Sequence, residues 1–250
     1  DGTATVADSD YTAGTDNVSF TGTAGETQTI NIPLGGDTKL EADETLTLSL
    51  GSVSRSRITI TDTATLTVQN DDTSAVTIAD VNVAENVAGG TATLTLTLDN
   101  AVQDNFTVDV STIDGTALSG AGNDYTALSR TVSFAGTASE NQTVIITLDN
   151  DTIAEGNEEF YVRMSNRSTS LPVTISDNAT VTITDDDTAT VTIADNSSLE
   201  DSGTVSVTLT SDKAVQGGLT LDVFTDNGTA TTGDSDFTAL SGGAQTVTFS

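Results

Sequence analysis

The chain repeats itself. Asp1-Gly2-Thr3-Ala4-Thr5 recurs as Asp114-Gly115-Thr116-Ala117-Leu118 and as Asn227-Gly228-Thr229-Ala230-Thr231, each start 113 residues after the last. Ser9-Asp10-Tyr11 returns as Asn123-Asp124-Tyr125 and as Ser235-Asp236-Phe237. Val18-Ser19-Phe20 returns as Val132-Ser133-Phe134 and Val247-Thr248-Phe249, and Ala75 to Asp80 returns as Thr190 to Asp195. Independent segments agreeing in the same order leave no room for chance. A period of this length is the size of one sandwich domain, not of a short solenoid repeat. The acidic runs Asn70-Asp71-Asp72 and Asp185-Asp186-Asp187 mark natural ends. They divide the chain into residues 1–72, a repeat without its N-terminal part; 73–187, a complete repeat; and 188–250, a repeat without its C-terminal part.

Within each unit the hydrophobic period is two. Leu94, Leu96 and Leu98 alternate with Thr93, Thr95 and Thr97; Leu46, Leu48 and Leu50 alternate with Thr45, Thr47 and Ser49; Val205, Val207 and Leu209 alternate with Ser206 and Thr208. One apolar face and one Thr/Ser face suit an antiparallel sheet packed on one side. Turn signals such as Asp114-Gly115, Asn227-Gly228 and Gly89-Gly90 separate short strands. No segment carries a 3.6-residue apolar stripe. The pattern predicts an all-β chain of tandem immunoglobulin-like antiparallel β-sandwiches with Greek-key connections, about seven strands each. Aromatics are only 4% of residues, so the core must rest on Val, Leu and Ile, whose shapes suit a pleated surface.

Charge narrows the partners. There are 37 acidic residues against 7 basic ones, a net charge of −30. Such a chain repels polyanions, which excludes nucleic acid and an anionic membrane surface as expected partners. No apolar run is long enough to span a bilayer, so no membrane insertion is expected. There is neither Cys nor His. Thiolate chemistry, the commonest zinc ligands and the commonest general base are therefore excluded, and no enzymatic activity is expected.

The acids recur at equivalent places near strand ends. The complete repeat carries Glu85, Asp124, Asp151, the pair Glu155 and Glu158, and Asp185, Asp186 and Asp187. The first carries Asp10, Asp37, Glu41, Glu44, Asp71 and Asp72, and the third Glu200 and Asp236. Solubility alone would not demand the same loop positions in each repeat. If the loops meet at one pole, their carboxylates raise one another's pKa and oppose folding. A hard divalent cation removes that cost. Calcium, which takes ~6–8 oxygens at flexible geometry, suits such loops better than magnesium. A paired-carboxylate glycosidase is the sharp alternative, but nothing here provides an aromatic sugar platform.

The succession of motifs resembles the Calx-β domain. It runs from Asp-Gly-Thr-Ala through Asn123-Asp124-Tyr125 and Val-x-Phe to Asp151-x-x-x-Glu155-Gly156-x-Glu158-x-Phe160, and ends at Thr180-Val181-Thr182-Ile183-x-Asp185-Asp186-Asp187. Glu85-Asn86-x-x-Gly89 is similar to the family's first-strand turn. The resemblance covers the whole chain. It implies that acids from these loops bind a cluster of calcium ions at the end facing the next domain, with the residues named above as ligands. Two departures stand out: Asn150-Asp151 and Gly36-Asp37 replace a double Asp, and Asn70 opens the first terminal run.

This copy is most similar to the large bacterial surface members of the family. The expected role is a stalk or filament of an extracellular cell-surface adhesin of the gliding or biofilm kind, rigidified by calcium between repeats. Its expected partners are neighbouring repeats, other copies in a filament, and a surface or host ligand reached through regions outside this chain. A calcium-independent spacer or surface-filament subunit is the alternative, and a ligand-binding module the third reading.

Overall fold

The alternation of apolar and hydroxyl residues builds strands throughout. A computed structural model describes residues 1–60, 62–120, 123–175, 178–240 and 245–249. The first segment holds β1 (Glu44–Ser49) and β2 (Thr63–Val68). The middle holds β3 (Val76–Ile78), β4 (Val81–Ala84), β5 (Thr91–Leu98), β6 (Phe106–Asp114), β7 (Ser129–Phe134), β8 (Asn141–Thr147), β9 (Glu158–Ser165) and β10 (Asn178–Thr184). The third holds β11 (Val191–Ile193), β12 (Leu209–Ser211), β13 (Leu219–Val223) and β14 (Gln245–Phe249), with a single 3-10 turn at Glu200–Ser202. Among the described residues, no helix is long and apolar enough to cross a membrane.

The middle segment is a two-layer sandwich. One sheet has the order β3-β5-β8 and the other β4-β10-β9-β6-β7. The sequence predicts about seven strands, and eight form because the first strand breaks at Ala79-Asp80. Its first half, β3, pairs antiparallel with β5; its second half, β4, crosses to the other sheet and pairs parallel with β10. At the break the Asp80 carboxylate accepts the Thr180 amide at 2.7 Å, replacing a ladder bond.

Side chains from both sheets fill the space between them. Leu94, Leu96 and Leu98 of β5 are fully buried, as their spacing predicts. They meet Val108 and Val110 of β6, Val144 and Ile146 of β8, Phe160 and Val162 of β9 and Val181 of β10 in one cluster. Each large side chain so buried contributes about 1.5–3 kcal/mol. Tyr125 stacks on Phe160 with ring centroids 4.0 Å apart. Its hydroxyl donates to Asp114 at 2.6 Å, and burial followed by this bond pushes the phenol's pKa up to about 12. Tyr11 makes the same bond to Asp1 at 2.5 Å.

The flanking segments, expected as partial repeats, hold fewer strands among the described residues. They contain the isolated pairs β1-β2, β11-β12 and β13-β14. Their apolar stripes have no second layer among these residues to pack on. Leu46 is buried, but Leu50 is 54% exposed, and Val205 and Val207, outside any strand, are 56% and 47% exposed.

The Asp-Gly-Thr-Ala motif has a clear structural cause. It clips its loop onto a neighbouring strand. The Ala117 amide donates to the Glu159 carbonyl at 2.9 Å, and the Glu159 amide donates to Thr116 Oγ1 at 2.8 Å. Ala4, Thr3 and Thr45 repeat both bonds in the first segment, at 2.9 and 2.7 Å. A Cβ on Gly115 would stand 2.3 Å from the Glu159 carbonyl oxygen, and on Gly2 2.2 Å from that of Thr45. Only glycine permits so close an approach.

Candidate metal centre

The clip fixes the next loop, which carries the first acid. One carboxylate oxygen of Asp124 accepts the Leu118 amide at 2.6 Å; Asp10 accepts that of Thr5 at 2.6 Å, and Asp236 that of Thr231 at 2.9 Å. One side of each carboxylate is thus committed to its own loop. In the middle repeat the Asp124 carboxylate lies beside Glu155 and Glu158, and in the first repeat that of Asp10 lies beside Glu41 and Glu44. In each trio, one oxygen per residue lies within 4.8 Å of the others. The two trios occupy equivalent positions, since Asp10, Glu41 and Glu44 each lie 114 residues before Asp124, Glu155 and Glu158. The register supports this: β1 pairs β2 from Glu44↔Val68 onward, and β9 pairs β10 from Glu158↔Ile183 onward.

A second trio, Glu85, Asp151 and Asp187, forms in the middle repeat at the same spacing. Glu85 is only 6% exposed and accepts the Asp151 amide at 2.6 Å. The Asp151 carboxylate in turn accepts the Ile153 amide at 2.7 Å, a turn that Asp37 and Lys39 repeat at 2.8 Å. A small cleft lined by Glu85, Asp124, Glu155, Glu158 and Asp185 joins the two trios. Asp185 Oδ1 is buried there without a hydrogen-bond partner. In the first repeat a cleft of about 140 Å³ is lined by Asp10, Asp37, Glu41, Glu44, Asp71 and Asp72 together. Asn70, at the place of Asp185, accepts the Glu41 amide through Oδ1 at 3.0 Å.

Crowding shifts the titration of these groups. Burial, then the charges of Asp151, Glu158, Asp124 and Glu85, push Glu155 up to about 7. Burial also raises Glu85, against the stabilising Asp151 amide, and the charges of Asp151, Asp185 and Asp187 add to it. Glu158 is raised by burial first and by its hydrogen bond with Asp124, and Glu44 by burial and by its hydrogen bond with Asp10. Two of the three trios carry a lysine. Lys39 pairs with Glu41 at 2.5 Å, and Lys213 pairs with Asp187.

Not every acid joins a cluster. Asp186 is exposed and accepts a bond from the Asn86 side-chain amide instead. Glu200 lies exposed in the 3-10 turn, and neither it nor Asp236 enters a group of three carboxylates among the described residues. The physical reason is simple. The loops that bring Glu155, Glu158 and Asp185 to the middle cluster have no counterpart in residues 188–250.

The family model of the Calx-beta domain matches residues 1–82, 69–196 and 185–250. The chain belongs to the Calx-beta domain family. Its domains follow one another in tandem. Similar solved structures include the apo form of the Calx CBD1 domain, 26% identical with a TM-score of 0.41, over 46% of this chain and 100% of that one. The calcium binding domain CBD12 of CALX1.1 is 28% identical, TM-score 0.38, over 44% of each chain. CBD12 from CALX1.2 is 27% identical, TM-score 0.40, over 45% of this chain and 46% of that one. The chain thus spans less than half the length of the two CBD12 structures. None of the curated proteins compared with it matches.

Two residues at the clusters escape a search for acids. The Gln103 side-chain amide donates to Glu44 at 3.0 Å, and that of Gln216 to Glu158 at 2.9 Å. Each glutamine comes from the repeat that follows. Their signal was present in the sequence as the triplets Ala101-Val102-Gln103 and Ala214-Val215-Gln216, again 113 residues apart.

Proposed function

We propose that the chain is a run of structural Calx-beta repeats, with units at 1–72, 73–187 and 188–250, whose acidic loops bind calcium at the junctions. The observation that carries this reading is the recurrence of one carboxylate trio, Asp10/Glu41/Glu44 and Asp124/Glu155/Glu158, at oxygen separations within 4.8 Å. Such crowding is unfavourable unless a cation or protons offset it. The donor set fits calcium. It is all oxygen, without His or Cys, and it includes an orphaned buried oxygen on Asp185. In the middle repeat Glu85, Asp124, Asp151, Glu155, Glu158, Asp185 and Asp187 would hold the ion or ions. In the first, Asp10, Asp37, Glu41, Glu44, Asp71 and Asp72 would do so. Calcium would supply positive charge and draw the loops into one rigid end. The chain's own residues fix where that end lies, through the Asp-Gly-Thr-Ala clip and the Asp151 turn.

At the level of the whole protein, the reading is an extracellular stalk or filament of a bacterial cell-surface adhesin. The net charge of −30 and the absence of Cys support it, since a long exposed array needs solubility and gains nothing from thiols. No catalytic role is part of this reading, since the chain has neither Cys nor His to pair as nucleophile and base with the acids. Isothermal titration with calcium tests the ion sites. Binding should occur in the wild-type chain and should weaken at least tenfold at one site in the double variant Asp124→Asn, Glu155→Gln. Equal binding in both would sink the assignment.

A second reading, a calcium-independent spacer, has one observation in its favour: backbone hydrogen bonds already cross both junctions. Small-angle scattering separates the two. A calcium stalk narrows its distribution of shapes when calcium is added, and a simple spacer does not.

A further inference from the structure

The two junctions are built alike. At the first, the Leu40 amide donates to the Ala101 carbonyl and the Gln103 amide to the Leu40 carbonyl, both at 2.9 Å, in a parallel bridge between Leu40 and Val102. At the second, the Ala154 amide donates to Ala214 and the Gln216 amide to Ala154, both at 3.0 Å, in a parallel bridge between Ala154 and Val215. The same residues then reach the acids by their side chains. Gln103 Oε1 accepts the Ala42 amide at 3.2 Å while its Nε2 donates to Glu44, and Gln216 donates to Glu158. Leu40 is fully buried and belongs to the core cluster of the following repeat.

We propose that the glutamine of the loop after the second strand of each repeat, Gln103 or Gln216, is a positioning residue for the preceding repeat's ion site. Each site is therefore shared by two repeats. The glutamine's backbone is fixed by the bridge, so its amide has little freedom left. It holds one oxygen of Glu44 or Glu158 in place, and it is neutral, so it orients that carboxylate without cancelling its charge. A lysine at this place would compete with the ion; a glutamine does not. The two functions of the loop are thereby coupled. What sets the angle between repeats also sets the geometry of a ligand, and ion binding and junction rigidity must rise and fall together.

This inference rests on the calcium reading above, and the test keeps the two apart. Gln216→Met removes the amide at nearly constant volume and leaves the backbone bridge intact. The chain has no Cys, so Ser129→Cys and Thr220→Cys allow clean spin labelling of the repeats on either side of the second junction. Calcium titration and the label-to-label distance distribution are read on both backgrounds. We expect Gln216→Met to lower calcium affinity at one site three- to tenfold and to broaden the calcium-loaded distance distribution. Its chelated melting temperature should be unchanged. Unchanged affinity together with an unchanged distribution would overturn the proposal while leaving calcium binding intact. If the labelled parent binds no calcium, the ion reading itself fails. The glutamine's role at that site falls with it.

Discussion

At the scale of single residues, the consequential group is Glu155. Its carboxyl titrates at about 7 in the folded protein against an ordinary value of 4.5. Without divalent cations, the folded state therefore holds a proton between those values that the unfolded state has released. Stability is then greatest below the unfolded value and falls as pH rises through about 7. Glu85, Glu44 and Glu158 are raised as well and act with the same sign. Asp99 and Glu140, held low by backbone amides, act oppositely and lose their contribution only at more acid pH. Melting followed against pH in chelator should therefore decline from mildly acid to neutral conditions, and a profile rising over that interval would refute the crowding argument. With calcium bound the carboxylates must be ionised, so the calcium-induced gain should grow with pH. Glu155→Gln should raise the chelated melting temperature at neutral pH by about 2–4 °C, the shift expected for about 1 kcal/mol in a chain of this size, and should shrink the calcium-induced gain. Tyr125→Phe should cost about 0.5–1.5 kcal/mol by denaturant melting, the worth of one hydrogen bond.

At the scale of elements, a glycine pair offers an internal control. Gly136 and Gly22 occupy equivalent turns, both with positive φ, 85° and 95°. A Cβ on Gly136 would lie 2.5 Å from the Val102 carbonyl oxygen, whereas one on Gly22 meets nothing within 4 Å. Both alanine variants carry the left-handed backbone penalty of about 1–2 kcal/mol, but only Gly136→Ala adds a clash with backbone. It should therefore be the more destabilising of the two by at least about 1 kcal/mol, as chemical denaturation would show. The same turn illustrates what sequence can reveal. The period-two stripe of β5 was legible because burial on one face imposes the alternation. The break between β3 and β4 was not, since Asp80 replaces a ladder bond by a side-chain bond that alternation does not register. The exposed Val205 and Val207 were misread for a related reason: a stripe announces a face, not the layer that covers it. Among the acids, recurrence at fixed offsets identified the trios, but it also gathered Asp186, Glu200 and Asp236, which share the spacing without sharing a cluster. Gln103 and Gln216 were hidden because their importance lies in what crosses from one repeat to the next.

At the scale of the whole molecule, a heavily acidic chain places its carboxylates unevenly. They concentrate where successive Calx-beta domains meet, and the backbone bridges at Leu40–Val102 and Ala154–Val215 bring the neighbouring domain against them. An ion that binds only the folded junction stabilises it by mass action, about 2.7 kcal/mol at a hundredfold excess over Kd. The most direct measurement is calorimetric melting of the 250-residue chain in millimolar calcium, in the same concentration of magnesium, and in chelator. A rise in melting temperature specific to calcium is the predicted result. Identical melting in all three conditions would contradict calcium binding at the junctions and leave the acids to serve solubility alone.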